Sequence, residues 1–231
     1  IKGEIVYLTG LSYYLYQWCR LDDGYPNFRV AQNELMIFWD ACKADPRSYG
    51  ICYVKNRRFG WSTICDAELI YSSTQYRNKK LGIVSKTNGD AKEMFDIAFD
   101  IFKRLPPFFQ PTWDKQTTSR IIMKKPKKDS GSDIEEGIDS YVRYYATALN
   151  SMDGGKKVFR SAVDECGKFP KEVAFNKYWK VIKTSHRQGS RIVGKAMVGS
   201  TVNSKKKGGA ECEDIYKQSN QLKRNQNGQT S

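Results

Sequence analysis

The chain has 231 residues, of which 39% are hydrophobic, with 5 Trp, 14 Tyr and 11 Phe; that is enough apolar material for a sizeable core and excludes a disordered chain. Its 39 Lys and Arg against 25 Asp and Glu leave a net charge of +14 with the single His neutral, a balance that points to a polyanionic partner. No apolar run approaches the ~18 residues of a membrane span, and the six cysteines contain no CxxC pair, so we expect a soluble protein of a reducing compartment without a zinc site.

In chain order, residues 8–20 (LTGLSYYLYQWCR) predict a short helix and 22–27 (DDGYPN) a turn. Leu35, Phe38, Trp39 and Cys42 recur at helical spacing, and Asp45-Pro46 ends that helix. The apolar run 49–54 (YGICYV) reads as a strand, followed by a basic loop and a helix reaching about residue 77. A second buried strand is expected at 81–84, then a helix over 89–105 that keeps Ala91, Met94, Phe95, Ala98, Ile101, Phe102 and Leu105 on one face until Pro106-Pro107 stops it. Residues 115–137 are polar and lysine-rich, which predicts a mobile loop or marginal hairpin with strand character only at 120–123. Strands are expected at 140–148, 158–163 and 191–198, with helices near 171–182 and 211–219 and a polar tail over 220–231. Strands alternating with helices predict an α/β fold, a three-layer sandwich around a mostly parallel sheet.

The charge is unevenly distributed. Residues 1–54 carry 5 basic and 6 acidic side chains, residues 55–128 carry 16 and 7, and residues 129–231 carry 18 and 12. Lysine clusters at Lys124, Lys125, Lys127 and Lys128, and at Lys205, Lys206 and Lys207, are candidates for contacting a nucleic acid. His186 reads as a surface residue, and the opening Ile1 suggests a piece of a longer protein.

A P-loop of the form GxxxxGK[ST] aims backbone N–H groups at phosphates, reaches them with a Lys, and holds Mg²⁺ with a Ser or Thr hydroxyl. The stretch 55–63 (KNRRFGWST) has Gly60, Ser62 and Thr63 in place, but Trp61 stands where the Lys belongs and Lys55 where the first Gly belongs. Lys55 at the loop entrance can fold over the phosphates, with Arg57 and Arg58 adding charge around them. The strand 158–163 ends in Asp164-Glu165, a pair suited to holding Mg²⁺ and polarising the attacking water. The strand 191–198 runs into Ser200-Thr201, where a γ-phosphate sensor would sit.

The order of these three elements resembles the ATPase part of the large terminase subunit of tailed bacteriophages, from about Pro26 to Ser219. Residues 55–63 are the most specific part, similar to a deviant Walker A loop of that family; 83–95 (IVSKTNGDAKEMF), 163–169 (VDECGKF) and 198–209 (VGSTVNSKKKGG) follow in the right order. The resemblance implies a P-loop NTPase fold of the ASCE type over residues 1–219, with 1–48 an N-terminal adenine-binding region and 220–231 a tail or linker to a nuclease domain that this chain lacks. It implies that ATP is bound along Lys55, Asn56, Arg57, Arg58, Phe59, Gly60, Trp61, Ser62 and Thr63, with Gln32 and Arg29 reading the base. Ser62 and Asp164 would hold Mg²⁺, Glu165 would activate water, and Ser200 and Thr201 would couple hydrolysis to movement. The implied partners are double-stranded DNA, the portal protein and the small terminase subunit. The implied assembly is a homo-oligomeric ring at the prohead portal in the bacterial host cytoplasm, with Arg187 or Arg191 as candidate arginine finger. Two other readings stay open: another P-loop translocase or helicase-like ATPase, and a basic DNA-binding scaffold whose P-loop has decayed.

Overall fold

The structure, a computed structural model, describes residues 8–124, 137–152 and 157–219. Helix α1 (Gly10–Gln17) is capped by Thr9, whose hydroxyl accepts from the Ser12 N–H, and buries Leu11, Tyr14 and Leu15. Helix α2 (Val30–Ala44) buries Leu35, Met36, Trp39 and Cys42. Phe38, expected on that face, remains 44% exposed; at about 100° per residue it lies roughly a quarter turn from the centre of the buried stripe.

Strand β1 (Gly50–Val54) leads into α3 (Trp61–Gln75), and β2 (Lys80–Val84) into α4 (Asn88–Lys103). Strands β3 (Asp114–Thr117), β4 (Arg120–Lys124), β5 (Gly137–Tyr144) and β6 (Arg160–Asp164) precede α5 (Phe175–Ser185). The ribbon β7 (Arg187–Gln188) with β8 (Arg191–Ile192), then β9 (Lys195–Ser200) and α6 (Gly209–Gln218) complete the order. The expected loop over 115–137 therefore begins as a hairpin, while 125–136 and the tail 220–231 lie outside the described residues. The strand expected over 191–198 is two elements. Gly194 separates them because the chain passes so close to Val158 there that a Cβ would sit 2.0 Å from its carbonyl oxygen.

Among the described residues the main sheet has seven strands in the order β1-β9-β6-β2-β5-β4-β3, parallel from β1 to β5 and antiparallel at β4 and β3. Side-chain alternation divides its interior in two. Leu81, Ile83, Ala162 and Met197 pack with α1 to α4, whereas Val84, Val163, Ala196 and Val198 pack with α5 and α6. This is the expected three-layer sandwich, with β9 inserted between the loop strand β1 and the acidic strand β6. Val54 pairs with Ser200, and Gly199 with Asp164, so β1, β9 and β6 end side by side. Their carboxyl ends form the crevice where open α/β sheets bind ligands.

Two buried polar groups tie the layers together. Glu68 of α3 meets Arg160 of β6 at 3.3 Å and Lys43 of α2 at 3.4 Å, and accepts from Ser72 at 3.0 Å. His186 is buried at 1% exposure, not on the surface as the sequence suggested. Its Nδ1 lies 2.8 Å from the Ile182 carbonyl, which can only accept, so Nδ1 carries the proton and Nε2 accepts from Ser161 at 3.1 Å. Gly194 makes room for the ring, since a Cβ there would stand 2.6 Å from it. Burial pushes the His186 pKa down to about 4, so the ring is neutral at pH 7. No helix among the described residues is long and apolar enough to cross a membrane.

Candidate functional site

The loop between β1 and α3 starts by extending the sheet: the Lys55 N–H donates to the Ser200 carbonyl at 2.9 Å. It then turns through two left-handed residues, Arg58 at φ 58° and Gly60 at φ 83°. Gly60 is also the N-cap of α3. Glycine adopts that conformation without strain, and a side chain would cost about 1 kcal/mol. The N-terminus of α3 therefore points its free N–H groups into the crevice, an arrangement suited to phosphate.

Trp61, at the position of the consensus lysine, does not face the crevice. Its indole is 1% exposed, stacks on Tyr53 at 5.3 Å and 10°, and lies over Gly199, where a Cβ would approach the ring to 2.3 Å. The Lys55 ammonium lies 2.5 Å from Asp164 Oδ1 and 3.5 Å from Glu165 Oε1. Ser62 Oγ donates to the other Asp164 oxygen at 2.6 Å. Ser62 and Asp164 are a hard-oxygen donor pair in direct contact, which fits Mg²⁺.

Glu165 follows at the end of β6 with φ 53°, a left-handed turn that is uncommon for a residue with a side chain. It accepts from Thr201 Oγ1 at 3.0 Å and pairs with Lys168 at 2.8 Å. Burial pushes its carboxyl pKa up, but Lys168, Lys55 and the Thr201 hydroxyl more than offset this and hold it below the ordinary value. Glu165 is thus an anion at neutral pH, the form a general base requires.

Lys55, Ser62, Glu165, Lys168 and Thr201 line a cleft of about 400 Å³, whereas Asp164, expected there as a metal ligand, is buried and is not part of its lining. The cleft brings together the residues expected from 55 to 63 with Glu165 and Thr201, and adds two cations that sequence reasoning missed, Lys86 and Lys168. Lys86 follows the end of β2 and is held by Asp90 at 2.9 Å; Lys168 lies three residues beyond Glu165. Both were legible only as polar residues just past apolar strands. Ser200 is not in the cleft lining: it is buried, and its Oγ accepts from the Gly167 N–H at 3.1 Å.

Gln32 and Arg29 reach the loop from behind. Gln32 Nε2 donates to the Phe59 carbonyl at 2.7 Å, and Arg29 Nη2 donates to the Phe59 and Arg58 carbonyls at 2.9 and 3.2 Å. The exposed 3₁₀ turn Lys205–Lys207 follows β9, with Lys205 paired to Glu213 at 3.1 Å. Lys124 ends β4, four strand spacings from β9 in the sheet order, or roughly 19 Å; Lys125, Lys127 and Lys128 lie outside the described residues. Arg187 and Arg191 sit before the first residue of β9, at the opposite end of that strand from the cleft. A larger groove of about 1000 Å³ between α2, β1 and α6 offers one cationic side chain, Lys217, against the five of the smaller cleft, so phosphate chemistry assigns the site to the latter.

No protein-family model and no curated protein sequence matches this chain. Solved structures do. The large terminase ATPase domain of Thermus phage P74-26 superposes with a TM-score of 0.57 at 15% identity, covering 83% of this chain and 68% of that one. The large terminase of bacteriophage HK97 superposes with a TM-score of 0.62 at 14% identity, covering 89% of this chain and 39% of that protein. The chain has the fold of a large terminase ATPase domain, as its sequence resemblance implied.

Proposed function

We propose that this chain is the ATPase motor domain of a phage large terminase subunit, hydrolysing ATP to drive double-stranded DNA into a prohead. The observation that carries the reading is the convergence of Lys55, Ser62, Asp164 and Glu165, drawn from the ends of β1, α3 and β6. In that arrangement Lys55, Arg58 and the α3 N-terminus bind the phosphates, with Arg57 at the rim. Glu165 takes a proton from a water as its oxygen attacks the γ-phosphorus. The bond to the bridging oxygen breaks, and ADP and phosphate leave. Mg²⁺, held by Ser62 and Asp164, would supply charge neutralisation on the phosphate oxygens.

Thr201 links the reaction to the rest of the fold. Its hydroxyl holds the Glu165 carboxylate, so recruitment of Glu165 to water releases a contact at the end of β9. The turn Lys205–Lys207 lies just beyond, and we assign it the DNA backbone. Arg187 and Arg191 are remote from their own cleft, so an arginine-finger role for either would be exercised on a neighbouring copy in a ring.

The reading is tested by phosphate release from the wild type and Glu165→Gln, each with double-stranded DNA and the assembled packaging ring. We expect Glu165→Gln to lose roughly 10²–10⁴-fold in turnover while still binding a non-hydrolysable ATP analogue. A wild type that releases no phosphate under those conditions contradicts the reading and favours a DNA-binding scaffold.

A further inference from the structure

The Gln32 amide sits at only 8% exposure, and its orientation is fixed by partners that cannot exchange roles. The Arg29 N–H can only donate, and it meets Oε1 at 2.8 Å; the Phe59 carbonyl can only accept, and it meets Nε2 at 2.7 Å. A Gln reads an adenine edge by using one donor and one acceptor together. Here one of each is already committed to protein backbone, and only 8% of the residue's surface is exposed. The first bond is the N3-to-N-cap half of a capping box, which fixes the start of α2. The second ties that start to the phosphate loop.

Arg29 reinforces the same point from the solvent side. Its guanidinium bridges the Arg58 and Phe59 carbonyls and lies 5.7 Å from the Phe59 ring centroid. The braced carbonyls belong to Arg58, itself left-handed, and to Phe59, the residue between it and the left-handed Gly60. A Cβ on Gly60 would approach Gln32 Nε2 to 2.7 Å, so loop and brace are built against each other. A carbonyl held backward turns the opposite face of its peptide, and the N–H groups after it, toward the phosphates.

We propose that Gln32 and Arg29 are positioning residues for the phosphate loop, and that they act on the triphosphate of any nucleotide rather than on its base. The inference rests on the nucleotide-binding reading above and changes what the start of α2 does within it. The contribution of Gln32 to binding is therefore independent of the base, and a ligand with no base at all depends on it equally.

The test is calorimetric binding of ATP, GTP and inorganic tripolyphosphate, with Mg²⁺, to the wild-type chain, Gln32→Ala, Arg29→Ala and Arg29→Lys. Loss of a braced hydrogen bond should weaken all three ligands by the same factor, roughly tenfold. Arg29→Lys, which keeps one donor, should recover part of that loss. A merely structural defect would not be rescued by lysine, and thermal melting of each variant run alongside registers any loss of fold. Because Arg29 is exposed, its variants carry the test if Gln32→Ala does not fold. Weaker ATP binding with GTP and tripolyphosphate unchanged would make Gln32 a base reader and overturn the proposal, as would variants that bind all three like the wild type. A wild type that binds none of them overturns the nucleotide reading itself.

Discussion

Trp61 shows how one residue can both disguise a site and define it. In the P-loop pattern its position belongs to a lysine, but the side chain here stacks on Tyr53 and fills the space above Gly199. Restoring the consensus with Trp61→Lys therefore removes a core aromatic and buries an ammonium. We expect a loss of at least about 3–5 kcal/mol in denaturant unfolding and no rescue of a Lys55 variant's activity. Gly199→Ala should cost about 1–3 kcal/mol by the same measurement, because backbone and indole have no room to part. Position 55 was legible in sequence because the loop, its glycine and Ser62 stayed in register around the substitution. The direction in which Trp61 points was not, since an aromatic at the first position of a helix has no periodic neighbours to assign it a face. Gln32 was likewise legible as a polar residue near the loop, while its two backbone partners depend on a contact between residues 27 positions apart.

The elements were read more securely than their polar ties. Strands β1, β2 and β6 and helices α3 and α4 announce themselves by apolar runs and helical spacing, and the order of the loop, the Asp-Glu pair and the Ser-Thr pair follows from them. What no periodicity reveals is the ion group that joins α2, α3 and β6. Removing one partner leaves a buried charge, so Glu68→Gln should destabilise the fold by about 3–5 kcal/mol in denaturant unfolding, and replacing Glu68 and Arg160 together with apolar residues should recover much of it. His186 was misread for the same reason: its burial depends on Gly194 and Ser161, from other parts of the chain. Its pKa falls from 6.5 to about 4 on folding, chiefly through burial. The unfolded chain thus binds more protons between those values, and stability is lost as pH falls through that window, by about 1.4 kcal/mol per unit. Thermal melting from pH 7 to pH 5 should show this loss, and His186→Gln should flatten it.

Across the whole molecule the positive charge, +14 in all, gathers in two separate places among the described residues. Lys55, Arg57, Arg58, Lys86 and Lys168 converge on one cleft, whereas Lys205, Lys206 and Lys207 stand exposed beyond the end of β9. Replacing those three lysines with alanine should weaken DNA binding irrespective of sequence and reduce the slope of log affinity against log salt by about 2–3, at roughly 0.9 per phosphate contact; fluorescence anisotropy across a salt series reads both. The smaller cleft should be untouched by that change, because it draws its cations from other loops. The central claim is that Lys55, arriving from the start of the loop, performs the task of the missing consensus lysine. Steady-state phosphate release by Lys55→Ala, in the presence of Mg²⁺ and double-stranded DNA and beside the wild type, tests it most directly. The account predicts a loss of roughly 10²–10³-fold in turnover, the scale of removing a principal phosphate-stabilising charge; turnover equal to that of the wild type would contradict it.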